Sequence, residues 1–562
     1  MSTPLKLKSE RVGKVQLATV DPYLSVLVDT GVFHLDQEFD YSLPAKFDIQ
    51  IGDWVSVPFN GRNCLGLVTK RGPKSAVSKV SPINRGAKGV RLSERHIDLY
   101  KAVAHRWAVP IFDVLRFVTK YRVKNEELTQ GSGKRTYLQL SSDIDEISAI
   151  RQIANRSAKD GSTLVIVPEV RIARELENEE FDVALRSGVL SPITYKNLIV
   201  VREESEHHFE LKSPGFNSRD VALLRSEILS ENLLFIGYSP SFEMVRLVES
   251  GYISFKPGSG KTKVFARPSL QGEILPSALV KSFKESLVKG PVLVVAPSKG
   301  YGLAISCANC KNIAKCDCGG KLTKTSKSAP PKCVLCAKQV HEWRCAFCKS
   351  ERIYLIGRGI ERIAEDFGRT FSNTAIHIAT ADKEISGEIS KRSIVLATVG
   401  AAPTLQYSAV LLLEGISLGS DMRSEERYLS TIFKYAALSN GNVLMVERSE
   451  HPAVNSLIKW NPIPYLSRIL SDLAEAELPP YSRHLLIKSG EAERIYTGFI
   501  AALREGRLPA ATKVHNLDGV ISIFFKMKDA AAVLHFIYEF QKRRSMSGKE
   551  LLKLRVDPYL LG

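Results

Sequence analysis

The chain has 562 residues, of which 44% are hydrophobic and 25% are charged. These values are ordinary for folded proteins and exclude disorder as the main state, and the length corresponds to about three to five domains. The longest apolar runs, such as Val410 to Leu413, are far shorter than the ~18–20 residues of a membrane helix. No apolar segment follows the N-terminal lysines, so we expect a cytoplasmic protein without a membrane partner.

The net charge of the chain is +18, and it is concentrated in two segments. Residues 62–88 contain seven basic and no acidic residues, and residues 301–352 contain ten basic and three acidic residues. A generally basic protein would spread this excess evenly, whereas local concentration is typical of proteins that bind a polyanion. The charge distribution therefore predicts a nucleic acid partner and a nucleoid-associated location.

The first part of the chain has the pattern of a small β domain followed by helices. Short apolar or alternating runs in the first 90 residues are interrupted by glycines, which is typical of strands joined by tight turns. Residues 93–107 and 111–119 have helical periodicity, and Ser93 is a candidate N-cap.

Farther along, strands that are apolar over their whole length alternate with helices. The clearest of these strands are 163–168, 197–201, 232–237 and 290–296. Such strands, separated by helices, predict a parallel sheet that is covered on both faces. The same alternation resumes after a cysteine-rich segment, and a small α+β pattern begins at Pro479. We therefore expect an α/β multidomain fold in which the cysteine-rich segment lies between two α/β units.

Eight of the nine cysteines lie within 42 residues of one another. They are Cys307, Cys310, Cys316, Cys318, Cys333, Cys336, Cys345 and Cys348. In a reducing cytoplasm this clustering is typical of metal sites, because tetrahedral zinc takes four thiolates from two short knuckles. The segment therefore predicts two Zn²⁺ per chain, with disulfides or an iron–sulfur cluster as alternatives.

Two stretches, residues 131–135 and 258–262, are weak matches to a phosphate-binding loop. A working loop follows a strand and opens a helix, so that backbone N–H groups surround the phosphate. The two-sheet pattern has the layout of a helicase motor, yet Arg202 stands where such a motor carries a magnesium-binding aspartate. Residues 434–441 also lack the arginines that would reach the γ-phosphate. We therefore expect a motor scaffold without ATPase activity, with no catalytic residue and no ATP cofactor.

Three further motifs, together with these features, carry a resemblance to a known family. They are His34-Leu35-Asp36-x-x-Phe39-Asp40-Tyr41-x-x-Pro44, Trp54-Val55-x-Val57-Pro58-Phe59-x-Gly61 and Pro479-Pro480-Tyr481-Ser482-Arg483. The chain thereby resembles, over nearly its whole length, the PriA family of primosomal proteins that restart stalled replication forks. In its degraded helicase motifs the chain resembles the shortened members of that family.

The resemblance implies a pocket for the 3′ nucleotide of a DNA strand. By position the pocket residues are Phe39, Asp40, Tyr41, Gly61 and Lys79. A carboxylate can accept a hydrogen bond from a 3′-hydroxyl, aromatic rings can stack on a base or sugar, and a lysine can neutralise a phosphate. The alternative is that the Phe39–Tyr41 triplet is only a half-buried strand edge, with Asp40 capping the turn before Pro44.

The resemblance also implies how the cysteines divide between the two zinc ions. The first ion takes Cys307, Cys310, Cys345 and Cys348, and the second takes Cys316, Cys318, Cys333 and Cys336. The spacing of Cys316 and Cys318 is one residue tighter than in the family, so His341 is a substitute candidate for Cys318.

The resemblance further implies a division of the chain into six parts. They are a 3′-DNA-end-binding β domain (1–92), a helical linker (93–135), a degenerate helicase lobe 1 (136–299), a two-zinc module (300–352), a degenerate lobe 2 (353–475) and a C-terminal α+β domain (476–562). The family's winged-helix domain would fall within the linker, which is too short to hold one.

The function that follows is recognition of forked, branched or single-stranded DNA during replication restart. The expected protein partners are the replicative helicase or its loader and the single-strand-binding protein. One alternative is an active ATP-dependent 3′-5′ DNA helicase that uses Lys134 or Lys261 in an unusual way. A second alternative is a zinc-ribbon protein that binds RNA or RNA polymerase.

Overall fold

The computed structural model describes residues 16–121 and 131–559, except residues 143, 178, 261, 270–272, 298–303, 311, 318–320, 325–327, 334–336, 357–358, 386–387, 415, 417–420 and 518. These residues form an antiparallel β domain, two lobes built on parallel sheets, a cysteine-rich insertion and a C-terminal antiparallel domain. Among them, no helix has the length and apolar character needed to cross a bilayer.

The N-terminal β domain is an antiparallel sheet with the strand order β2-β1-β4-β3-β5. Its strands are β1 (Tyr23–Val28), β2 (Glu38–Ser42), β3 (Trp54–Phe59), β4 (Arg62–Gly72) and β5 (Arg85–Gly86). Alternate residues of these strands, such as Val26, Val55 and Val68, pack into a core of their own. Gly52 has a positive φ of 85° and lies against the backbone of Leu92, where a Cβ atom would have no room. The antiparallel β domain that the sequence predicted is confirmed.

The two helices that follow are α1 (Glu94–Arg106) and α2 (Ile111–Val118). Ser93 caps α1 as predicted, because its side chain accepts a hydrogen bond from the backbone N–H of His96. Tyr100 of α1 is fully buried, and its hydroxyl donates to the carbonyl of Leu190 in the first lobe. These helices therefore fasten the β domain to the first lobe.

The first lobe contains a parallel sheet in the order β11-β6-β10-β9-β7-β8. Its strands are β6 (Arg135–Gln139), β7 (Thr163–Ile166), β8 (Asp182–Ala184), β9 (Asn197–Val201), β10 (Asn232–Gly237) and β11 (Ser254–Lys256). Its helices are α3 (Glu146–Asp160), α4 (Val170–Glu175), α5 (Ser218–Ile228) and α6 (Phe242–Glu249). Every residue of β7 and β9 is buried, as expected for strands that are covered on both faces.

The second lobe contains a parallel sheet in the order β12-β21-β20-β13-β19-β18. Its strands are β12 (Lys263–Ala266), β13 (Val292–Ala296), β18 (Ala375–Ala379), β19 (Ser393–Thr398), β20 (Tyr407–Leu412) and β21 (Ser439–Met445). Its helices are α7 (Ser277–Lys289), α8 (Ile360–Thr370), α9 (Ser424–Ala436), α10 (Pro452–Ile458) and α11 (Ile463–Glu475).

Two strands lie in a different lobe from the one that the sequence predicted. The boundary at residue 299 placed β12 and β13 in the first lobe, but both belong to the second sheet. There β12 pairs with β21, and β13 pairs with β19 and β20. The assignment of residues 136–299 to lobe 1 is therefore wrong in its last part. A strand that is apolar on both faces contains no signal for which sheet it joins, because only its long-range hydrogen bonds decide this.

The cysteine-rich segment is an insertion in the second lobe. It leaves after β13 with β14 (Ala304–Cys307) and returns through β17 (Ile353–Ile356), and these two strands pair antiparallel. Between them, β15 (Leu322–Thr323) pairs with β16 (Lys332–Cys333). The segment thus interrupts the second sheet, and the expectation that it lies between the two α/β units is wrong.

The C-terminal domain is an antiparallel sheet in the order β23-β24-β22-β25. Its strands are β22 (Ser482–Lys488), β23 (Lys513–Leu517), β24 (Val520–Lys526) and β25 (Lys553–Val556), and its helices are α12 (Ala492–Arg504) and α13 (Ala530–Met546). Helix α13 contacts the N-terminal domain, because Tyr538 donates to Asp36 at 2.5 Å and its ring lies 4.9 Å from that of Phe33.

Candidate functional site

Four cysteines of the insertion converge on one point. The Sγ atoms of Cys307, Cys310, Cys345 and Cys348 all lie within 4.8 Å of one another. Cys307 ends β14, and Cys345 and Cys348 belong to a turn that precedes β17, so the pairing of these strands brings the two knuckles together. The backbone N–H of Cys310 lowers the pKa of the Cys307 thiol to about 6. Four thiolate donors at this distance fit a tetrahedral structural zinc ion.

The other four cysteines are only partly described. Cys316 and Cys333 are buried in a small apolar cluster with Leu322, whereas Cys318 and Cys336 lie outside the described residues. His341, the substitute candidate, is exposed. Whether the second set of four forms a metal site therefore stays a prediction.

The residues of the expected 3′-end pocket lie on and around β2, and they face in different directions. Tyr41 is only 4% exposed, and its hydroxyl donates to the carbonyl of Pro58 at 3.2 Å. Burial raises the pKa of this hydroxyl to about 12. The ring of Phe39 lies edge-on to that of Phe59, with their centroids 5.0 Å apart. Tyr41 is therefore a core residue and does not offer an open face to a ligand, in contrast to the expectation.

Asp40 points to the opposite side of β2, because successive side chains of a strand alternate. Its Oδ2 atom accepts hydrogen bonds from the Ser75 hydroxyl at 2.6 Å and from the backbone N–H of Ala76 at 3.3 Å. Its Oδ1 atom accepts from the Ser25 hydroxyl at 3.3 Å. Of the two remaining candidates, Gly61 lies in the turn between β3 and β4 with φ of 73°, and Lys79 is exposed on the loop that follows β4.

The basic residues near this loop fall into two groups. Arg71 donates to the backbone carbonyls of Val20, Asp21 and Ile49, so its guanidinium holds the domain together. Lys70 forms an ion pair with Glu38 at 3.2 Å. Lys70 is nevertheless exposed, and the other exposed members of the segment are Arg62, Lys74, Lys79, Arg85 and Lys88. Sequence reasoning treated all seven basic residues alike, and their separation depends on contacts that charge alone does not reveal.

Neither candidate phosphate loop joins a strand to a helix in the required order. Residues 131–134 precede β6, and residues 258–262, of which Lys261 lies outside the described residues, connect the sheets of the two lobes. A Cβ atom at Gly258 would come within 2.7 Å of the carbonyl oxygens of Gln139 and Leu140. Gly258 thus serves close packing of the backbone against the end of β6 in the first lobe.

The strand–loop–helix arrangement that a phosphate requires occurs instead between β6 and α3. There Asp145 caps the helix and Glu146 is its first residue. Glu146 forms an ion pair with Arg202 at 3.0 Å, and Arg202 also binds Glu169 at 2.8 Å. Arg202 is buried and has a positive φ of 49°. Burial lowers the pKa of its guanidinium, but the nearby carboxylates outweigh this effect and keep the pKa above its usual range. Two carboxylates at a helix N-terminus repel a phosphate, because they occupy the positive end of the helix dipole.

A buried ionic network joins the two lobes, and sequence reasoning missed it. Arg423 at the start of α9 binds Glu243 of α6 and Glu426 at 3.1 Å. Glu426 in turn accepts the backbone N–H of Phe242 at 2.7 Å. Ser430 of α9 donates to Glu204 of the first lobe at 2.8 Å. These residues lie far apart in sequence and follow no motif, so no local signal identifies them.

Comparisons with known proteins relate one part of the chain to a domain family and most of the chain to replication restart proteins. The family described as the 3′DNA-binding domain (3′BD) of PriA matches residues 25–120. The probable replication restart protein PriA of Mycobacterium tuberculosis is 28% identical over 581 residues, which cover 85% of this chain and 88% of that protein. The corresponding protein of Mycobacterium leprae is 28% identical, with 85% and 89% covered. The replication restart protein PriA of Bacillus subtilis is 19% identical, with 74% and 60% covered.

Proposed function

We propose that this chain, which is related to the replication restart proteins PriA, recognises the 3′ end of a DNA strand at a forked or branched substrate. In this proposal it acts in replication restart as a DNA-binding platform for the replicative helicase or its loader and for single-strand-binding protein. It performs no chemical step of its own.

The environment of Asp40 carries the proposal. A carboxylate is a strong acceptor for the 3′-hydroxyl, and its two oxygens have about four accepting positions in total. Within the described part of the chain, three donors reach them, from Ser25, Ser75 and Ala76. Lys74 and Lys79, which flank Ser75 along the loop, are exposed and suited to the phosphates next to the terminal nucleotide. A carboxylate on β2, next to a basic loop, would recognise the 3′-hydroxyl and the adjoining phosphates together.

The cysteine-rich insertion supports a second contact with DNA. In the proposal a zinc ion on the Cys307, Cys310, Cys345 and Cys348 thiolates supplies no catalysis and holds the two knuckles rigid. Phe347, within the Cys345–Cys348 turn, is 71% exposed, and the insertion carries an excess of basic residues. An aromatic ring on a rigid turn, with lysines and arginines around it, suits stacking on an unpaired base. A second zinc on the remaining four cysteines belongs to the proposal.

The contacts of Arg202 support the absence of helicase activity. Its guanidinium pairs with Glu146 and Glu169 where a motor would hold Mg²⁺ and phosphate. The buried network around Arg423 supports a fixed arrangement of the two lobes, which a DNA-binding platform requires.

The test compares forks that differ only at the 3′ end of the leading strand. We expect a fork that ends in a 3′-hydroxyl to bind at least ~10-fold tighter than one that ends in a 3′-phosphate, since a hydrogen bond to a charged group is lost and like charges meet. Asp40→Ala should remove most of this preference in fluorescence-anisotropy titrations. Asp48→Ala, which removes an exposed aspartate of the same domain, should keep it.

Four outcomes would count against the proposal. Equal affinity of the unaltered protein for both forks would remove the 3′-end pocket. If Asp40→Ala lowered the melting temperature and weakened both forks equally, Asp40 would be a structural residue. ATP-dependent strand separation would favour the helicase alternative, and preference for RNA over forked DNA would favour the zinc-ribbon alternative.

A further inference from the structure

We infer that Ser75 is a positioning residue for recognition of the 3′ end. Its hydroxyl ties the loop between β4 and β5, residues 73–84, to Asp40 and so sets the preference of the site for a 3′-hydroxyl. This inference rests on the proposed function and deepens it, because it concerns a residue that no motif singled out.

The first observation is the geometry of the hydrogen bond. The Ser75 hydroxyl lies 2.6 Å from Asp40 Oδ2, which is typical of a hydroxyl that donates to an ionised carboxylate. The same hydroxyl oxygen accepts the backbone N–H of Val77 at 3.0 Å. A hydroxyl has one hydrogen, and the contact from Val77 occupies its oxygen as an acceptor, so its hydrogen is directed at Asp40. Ser75 and Ala76 together thus hold Oδ2 in one orientation.

The second observation is that the loop is attached to β2 at a second point. The backbone N–H of Ser42 donates to the carbonyl of Ser81 at 3.0 Å, and the N–H of Ile83 donates to the carbonyl of Ser42 at 3.1 Å. Asp40 and Ser42 are two positions apart on one strand, so they lie on the same side of it. Lys79 belongs to the short span between the two attachments. Both ends of the span that carries Lys79 are therefore fixed at β2.

The third observation is the remaining accepting capacity of Asp40. In the described part of the chain, Oδ2 receives two donors, whereas Oδ1 receives one, the Ser25 hydroxyl at 3.3 Å. A DNA hydroxyl can therefore reach Oδ1 while Ser75 stays in place. Without the Ser75 hydroxyl the carboxylate keeps only the longer contacts from Ser25 and Ala76, so its orientation is less fixed and the loop loses the shortest hydrogen bond of its first attachment. Recognition of the DNA 3′-hydroxyl by Asp40 and neutralisation of the neighbouring phosphate by Lys79 should then both become weaker.

The experiment measures the affinity for forks ending in a 3′-hydroxyl and in a 3′-phosphate in three variants. Ser75→Ala should reduce the preference for the hydroxyl from about tenfold to about twofold or less. Ser75→Thr retains the hydroxyl and should preserve the preference. Ser78→Ala is the matched control, because Ser78 is an exposed serine of the same loop. In protein without DNA, hydrogen exchange of the loop amides should be faster in Ser75→Ala than in Ser78→Ala.

The outcomes separate this inference from the proposed function. If Ser75→Ala kept the full preference for the 3′-hydroxyl fork, the positioning role would be overturned. Tighter binding of that fork by Ser75→Ala would also overturn it, and would mean that the Ser75 hydroxyl competes with DNA for Asp40. If hydrogen exchange of the loop amides were unchanged in Ser75→Ala, that result alone would reject the attachment of the loop through Ser75. Equal affinity of the unaltered protein for both forks would instead reject the 3′-end pocket, and the inference with it.

Discussion

Arg202 and Glu146 form an ion pair, with Nε and Oε1 3.0 Å apart, at the carboxyl edge of the first parallel sheet. Arg202 directly follows β9, and Glu146 begins the helix that follows β6. Ligands of open α/β sheets bind at this edge, where helix N-termini attract phosphate. In this chain the edge is occupied by a cation and an anion of the protein itself, which form an ion pair.

From this pair we predict that the protein does not hydrolyse ATP when fork DNA is present. Phosphate binding at the β6–α3 loop would require Glu146 to leave a buried partner, and Arg202 would repel Mg²⁺. Steady-state phosphate release should stay at the rate of a reaction without protein. Turnover that disappears in Lys134→Ala or Lys261→Ala would contradict this prediction and restore the helicase alternative.

The strands and the cysteine-rich segment were predictable because their signals are local. Strands β7, β9 and β10 are apolar over their length, and the cysteines are paired at short spacing. The relationship between Asp40 and Ser75 was not predictable, because it depends on a loop folding back across an edge strand. The pairing of Arg202 with Glu146 likewise joins two loops that only the completed sheet brings together.

The metal content of the protein is the next prediction. Eight cysteines in the insertion should hold two Zn²⁺ per chain after dialysis against a weak chelator, as measured by elemental analysis. Cys307→Ser should lower the content by one ion and unfold the insertion locally, because the binding free energy of a structural zinc is folding free energy. Cys64→Ser, which alters the one cysteine outside the cluster, is the control. A content near one Zn²⁺ per chain in the unaltered protein would mean that the set of cysteines containing Cys316 and Cys318 does not form a zinc site.

The salt dependence of DNA binding should distinguish the two groups of basic residues. Each lysine that meets a phosphate contributes about 0.9 to the slope of log K against log salt concentration on duplex DNA. Replacing Lys74 and Lys79 by alanine should therefore reduce the slope by up to about 1.8. Arg71→Ala should instead lower the melting temperature, because three backbone carbonyls would lose their donor. An unchanged slope in the double variant would mean that these lysines face solvent.

The final prediction concerns Glu204, which links the lobes through the Ser430 hydroxyl at 2.8 Å. Burial first, and the charge of Glu203 second, raise the pKa of its carboxyl to about 8, whereas a glutamate in an unfolded chain has a pKa of about 4.3. Between these values the folded protein retains a proton that the unfolded chain has released, so the free energy of unfolding falls as pH rises. The contribution is fully present below about pH 4.3 and is lost as pH passes about 8.

Glu204→Gln cannot ionise and should remove this dependence while keeping a carbonyl oxygen for Ser430. Urea unfolding between pH 5 and 8 should show a slope that is less negative by up to about 1.4 kcal/mol per pH unit in the variant. Glu206→Gln is the matched control, because Glu206 is an exposed carboxylate two residues away, and it should reproduce the unaltered protein. If Glu204→Gln and the unaltered protein had the same pH profile, the Glu204 carboxylate would be ionised in the fold, and the contact between the lobes would be a charged hydrogen bond from Ser430.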